Sequence, residues 1–152
     1  MKRIMIVIFV ICFFSSCNKT DGPFVYSVDV AIRVLNVEGT DLLNPSNPES
    51  YSLDDIKVYN KVGDKWILYY EPNHGASRGF LIRMVNELTI MTLYPSIENV
   101  GTYTETMIKW SEQDSDVIKC DLLKKNKDAY IVIDKVWLNG ERQAGRTLTI
   151  IK

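Results

Sequence analysis

From Phe24 onward the side chains alternate with a period of two, and no stretch carries apolar residues at three-and-four spacing over three helical turns. Tyr26, Val28, Val30, Ile32 and Val34 fall on one side, and Ser27, Asp29, Ala31 and Arg33 on the other, which is how a half-buried strand reads. Such alternation commits one face of the chain to a core and the other to water. Further β-rich runs follow at Ile56–Asn60, Lys65–Tyr70, Phe80–Val85, Leu88–Tyr94, Thr102–Trp110, Asp116–Leu123, Tyr130–Leu138 and Arg146–Ile151. Between them stand turn signals: Gly63-Asp64, Asn86-Glu87, and Asn139-Gly140, whose residues both tolerate the positive φ of a type I′ hairpin turn. The two Asn-Pro pairs at 44–45 and 47–48 forbid a continuing ladder, so residues 39–50 read as loop without helix or strand. Ser52-Leu53-Asp54-Asp55 is compatible with a single capped helical turn. The expected fold is all-β: an antiparallel two-sheet sandwich of about eight strands, with a closed barrel as the competing architecture.

The composition agrees with a folded body. The 152 residues hold 46% hydrophobic and 24% charged side chains, and 18 Lys+Arg nearly balance 19 Asp+Glu. That balance speaks against a nucleic-acid partner, and Lys124-Lys125-Asn126-Lys127 is too short a basic run to change it. Three Cys and one His are too few for a metal-stapled or disulfide-dense scaffold, so stability must come from burying apolar surface.

The first residues carry a different signal. Lys2 and Arg3 precede Ile4–Phe14, a run without a polar side chain. It is shorter than the about 20 residues a membrane-spanning helix needs, and within the roughly 7–15 of a secretory h-region. Ser15-Ser16-Cys17 and then the polar Asn18–Pro23 follow. This stretch resembles a bacterial lipoprotein signal, with Phe14 where Leu is usual; the pocket that accepts it asks only for an apolar side chain. The resemblance implies cleavage after residue 16, acylation of Cys17, a linker over 17–23 and a β-sandwich domain over 24–152. The mature chain would then keep 136 residues, with 16 Lys+Arg against 19 Asp+Glu, a net charge of −3. Acyl chains rather than whole-body charge would hold such a chain to the membrane. Asn18 rather than Asp after the Cys favours the outer membrane, by analogy with enteric sorting.

With Cys12 removed and Cys17 acylated, Cys120 is alone, which leaves no intramolecular disulfide. It shares a side with Ile118 and Leu122 and reads as a small buried hydrophobe.

No residue set announces chemistry. His74 lies in a Pro/Asn/Gly loop without a nucleophile elbow or a second metal ligand, and reads as a solvated loop histidine. Glu112-Gln113-Asp114-Ser115-Asp116 spaces oxygens as calcium loops do but lacks the glycine and distal Glu of an EF-hand, so a charged hairpin loop is the expectation. Asp54-Asp55 reads as the start of a helical turn rather than an acid/base pair. No catalytic residue, metal site or cofactor is expected. The aromatic supply is more telling, since eight Tyr and three Trp suit stacking on sugar rings or filling an interface as well as a core. Tyr69 and Tyr70 must point to opposite faces; with Tyr103 they are the candidate ligand-binding aromatics.

Asp41–Pro45, Ile108–Trp110 with Ser111–Asp114, Asp116–Cys120 and Lys135–Gly140 together resemble segments of a group of small Gram-negative envelope lipoproteins. The resemblance implies a prealbumin-like or immunoglobulin-like sandwich and an envelope location. It implies nothing about chemistry. The expectation is therefore a non-enzymatic, lipid-anchored binding module, a glycan-binding accessory of nutrient uptake in its leading form and a structural or assembly partner of envelope proteins in its alternative.

Overall fold

A computed structural model describes residues 24–97, 101–125 and 129–152. The cleavage region, Cys17 and the linker to residue 23 lie outside the described residues. Among those described there is no helix, and eleven strands form two sheets.

The strands are β1 (Val25–Ser27), β2 (Val30–Leu35), β3 (Lys57–Val62), β4 (Lys65–Leu68), β5 (Phe80–Val85), β6 (Leu88–Leu93), β7 (Tyr103–Lys109), β8 (Ser115–Lys125), β9 (Tyr130–Leu138), β10 (Glu141–Arg142) and β11 (Thr147–Ile151). The larger sheet has seven strands in the order β1-β9-β8-β7-β3-β4, with β10 also on β9. The smaller runs β11-β2-β6-β5. Both are open, so the described residues form no closed barrel. Val30, Ile32, Val34, Met91, Leu93, Leu148 and Ile150 from the small sheet share one core with Val58, Ile108, Ile118, Cys120, Leu122 and Val136 from the large one.

Two expectations need correction. The run from Tyr26 to Val34 is not one strand. It leaves the large sheet after Ser27 and enters the small one at Val30, a crossing pinned by Arg146, whose Nη1 donates to Ser27 O at 3.0 Å and to Ser27 Oγ at 2.7 Å. Its parity holds across the break for Val30, Ile32 and Val34, all fully buried, but Tyr26 stands exposed. Second, the sheets are mixed rather than antiparallel: β1 runs parallel to β9, and β11 parallel to β2. Such pairings join distant parts of the chain, and no turn residue announces them. Residues 39–50 hold no helix or strand, as expected, but the loop is anchored rather than loose. Asp41 bridges to Leu35, and its carboxylate accepts from the backbone N–H of Leu43 at 2.9 Å and of Thr89 at 2.8 Å, which drives Leu42 and Leu43 into the core.

The hairpins obey their turn chemistry. Asn139 (φ 50) and Gly140 (φ 87) are both left-handed, as are Asn86 (φ 49) and Glu87 (φ 66) between β5 and β6. Ser52–Asp55 makes one hydrogen-bonded turn, with Asp55 N donating to Ser52 O at 3.0 Å, and no helix. Between β8 and β9 the register shifts: Asp121 faces Lys135, yet Leu122 faces Ile133, so Asp134 has no opposite residue. This bulge changes parity and lets Ile131, Ile133 and Val136 all face the core.

Candidate functional site

Two regions bring aromatic side chains and charges together, and they do so in opposite ways. The first is a corner where β7, β8 and the chain end after β11 meet. Asp116 lies on the core side of β8, in phase with Ile118, Cys120 and Leu122, and is only 4% exposed. A bare carboxylate there would be costly. Three donors satisfy it: Trp110 Nε1 at 2.6 Å, Lys152 Nζ at 2.7 Å and Asn139 Nδ2 at 2.7 Å. Burial alone would push its carboxyl up, but the bonds from Lys152, Asn139 and Trp110 hold it below the usual carboxylate range. Lys152 Nζ also reaches Asp114 at 2.6 Å; burial pulls this ammonium down, and the two carboxylates more than restore it, to above the ordinary lysine value. Tyr51 donates its hydroxyl to Asp114 at 2.5 Å and stacks on Trp110 with ring centroids 5.6 Å apart. Burial first, then the neighbouring Asp114 and Asp116, raise its phenol well above the ordinary range. The corner therefore holds fixed charges with their partners already supplied.

The charged hairpin loop expected at 112–116 is thus split. Glu112 stays at the surface, paired with Lys109 at 2.8 Å, while Asp114 and Asp116 turn inward to Lys152. Beside the corner opens a cleft of about 430 Å³ whose rim carries Tyr51, Lys57, Lys109 and Glu112.

The second region is the outer face of the large sheet, the side turned from the core. Cross-strand register aligns one row over five strands: Trp66 on β4 opposite Lys61 on β3, then Glu105 on β7 opposite Lys119 on β8, and Trp137 on β9. Lys61 and Glu105 close the middle of the row with an ion pair at 2.5 Å, which raises the Lys61 ammonium above its ordinary value. The lysines also lie over rings: Lys61 Nζ is 5.7 Å from the Trp66 centroid, and Lys119 Nζ is 4.4 Å from Tyr103 and 5.6 Å from Trp137. A parallel row, Leu68, Tyr59, Met107 and Val117, runs alongside and leads toward Lys57 and Lys109 at the cleft. Tyr59, Trp66 and Trp137 are half-buried and Tyr103 is 50% exposed. The ring faces of Trp66, Tyr103 and Trp137 are shared with flexible lysine heads rather than packed under protein.

The expected aromatics do not converge. Tyr103 belongs to this outer face, near the start of β7. Tyr69 and Tyr70 follow Leu68, which is level with Met107, further along the sheet. Tyr69 packs on the core with Cδ1 against the position a side chain would take on Gly79 (φ +81), which must therefore stay glycine. Tyr70 points outward, 64% exposed, beside a cleft of about 320 Å³ formed with Glu71–His74. A second cleft, about 280 Å³, shares Glu71 and His74 with it and adds Tyr69 and Tyr94. His74 is exposed, and its backbone N–H is bonded to Glu71 O at 3.0 Å. Asp54 is exposed and meets Arg78 at 3.5 Å. Cys120 is fully buried, and burial, with a smaller push from Asp121, lifts its thiol to about 12.

Fold and site together define a two-sheet β protein with one aromatic and mixed-charge face. Comparison with protein-family models, with curated proteins and with solved structures finds no match.

Proposed function

We propose that this chain is a lipid-anchored, non-enzymatic binding module of the cell envelope, held at Cys17 with the outer membrane favoured, and that the outer face of its large sheet engages a glycan in nutrient uptake. The observation that carries the reading is the Trp66–Lys61–Glu105–Lys119–Trp137 row with Tyr59 and Tyr103 beside it. Flat rings offer the apolar faces of sugars a stacking surface, and carboxylate and ammonium groups between them suit hydroxyls. Mixed charge favours a neutral glycan over a strongly anionic one. The lipoprotein-like N-terminal sequence supports the envelope location. A prealbumin-like or immunoglobulin-like sandwich is the finer fold reading, supported by two sheets sharing one core.

The test is a glycan array probed with the protein and with Trp66→Ala/Trp137→Ala. Binding that the double variant loses supports the proposal, and an array without hits for the parent contradicts it. Cys17→Ala should release the protein from membranes.

A specific observation favours a second reading, an assembly partner of other envelope proteins. β4 and β5 are free sheet edges carrying exposed Ile67, Leu68, Met84 and Val85. If Ile67→Lys or Met84→Lys abolishes the cellular role while the tryptophan variant does not, this reading replaces the first.

A further inference from the structure

The large sheet has two ends, and register tells them apart. At one end lie Lys57, Lys109, Ser115 and Leu138, next to the Asp116 corner. At the other, β1 begins beside the start of β9, Val25 facing Tyr130, and β8 ends there with Lys125 facing Tyr130. Val62 and Tyr103 stop four to five residues short of this rim, since Asn60 is level with Thr106 and Tyr103 with Asp121.

Exposed apolar side chains collect here. Phe24 (66%), Val25, Tyr26 (54%) and Leu123 are four of the fourteen large hydrophobic side chains exposed among the described residues, and they stand side by side on this rim rather than scattered. Phe24 and Tyr26 stack at 6.3 Å, so the two rings form one continuous apolar plate. Lys124 and Lys125 stand among them, with Lys125 Nζ 5.8 Å from the Tyr130 ring. Aromatic rings with polar tips, aliphatic side chains and lysines on one rim are what the boundary between headgroups and acyl chains selects. The chain also supplies the proximity. Only seven peptide steps separate Cys17 from Phe24, about 25 Å even when fully extended.

We propose that this end of the sheet seats in the headgroup layer of the membrane that carries the anchor, with Phe24 and Tyr26 as its wedge. The inference rests on acylation at Cys17. It turns the Asp116 corner and its cleft away from the lipid and stands the aromatic row across the membrane normal. A net charge of −3 for the mature body does not oppose it, because the rim is locally basic.

The experiment uses the full-length acylated protein in phospholipid vesicles, with acylation verified by mass. Phe24→Trp adds a fluorescent reporter at an exposed position, and Val37→Trp, at a site 83% exposed beyond the far end of β2, adds a control. Emission of each variant is read against the parent, with and without brominated acyl chains. The expected result for Phe24→Trp is a blue shift of the added emission and its loss on brominated lipid, with neither change for Val37→Trp. In an acylated sample, added emission from Phe24→Trp that bromine does not quench overturns the inference while leaving the anchor intact. A blue shift without quenching, accompanied by a doubled mass, assigns the rim to a second copy and also overturns it. Absence of acyl mass overturns the anchor and the inference together.

Discussion

Tryptophan meets charge twice in this molecule, and the two meetings differ in where the polarity goes. At the corner, Trp110 is 1% exposed and gives its N–H to Asp116, whose other partners are also in place. On the outer face, Trp66 and Trp137 are half-buried, and lysine ammonium groups hover over their rings at nearly 6 Å. A buried, saturated network has nothing left to offer a ligand and contributes rigidity. A half-covered ring whose cover is a flexible lysine gives up that contact at small cost, which is what the proposed glycan binding requires. The first arrangement holds the fold; the second is where recognition is proposed.

The contrast breaks most readily through stability. Trp110→Ala should cost about 3–5 kcal/mol, since it leaves a cavity beneath Tyr51 and an unmet carboxylate lone pair; chemical denaturation measures it. Asp116→Asn should cost about 2–3 kcal/mol, with Lys152 keeping only Asp114 as ionic partner.

The same residues give the pH dependence its sign. Asp116 has a folded value below its unfolded one, so its contribution is present above about pH 3.9 and is lost as pH falls through the lower folded value. Lys152 is raised, so its contribution is present below about pH 10.4 and is lost as pH rises through the folded value. A melting-temperature profile should fall at both limits, and Asp116→Asn should flatten the acid limb. An unchanged acid limb would remove Asp116 from the account.

On the outer face, Trp66→Ala and Trp137→Ala should each cost only about 1 kcal/mol of stability. The smallest change concerns Cys120: a thiol reagent should leave it unmodified in the native protein and label it fully in denaturant, because the sulfur is buried and protonated.

Much of the strand content was legible, because half-buried strands write their period into the chain. The Asn139-Gly140 hairpin and the burial of Cys120 follow from turn chemistry and parity alone. Where reading stopped, the cause was long-range pairing. The break at Val28-Asp29 and the two parallel pairings depend on Arg146 and on strands more than a hundred residues away, with no local mark. The corner did leave one sign: Asp116 has the parity of Ile118, Cys120 and Leu122, and a carboxylate on the buried side of a strand demands partners. The aromatic row left none, since Trp66, Lys61, Glu105, Lys119 and Trp137 align only once four cross-strand registers are known.

The most direct test is calorimetric titration of an array-identified glycan into three proteins side by side: the parent, Trp66→Ala/Trp137→Ala, and Asp116→Asn. The account predicts that the tryptophan pair loses at least roughly tenfold in affinity, about 1.4 kcal/mol, while Asp116→Asn binds as the parent does at neutral pH. Equal affinity for the tryptophan variant, or a loss confined to Asp116→Asn, would contradict it.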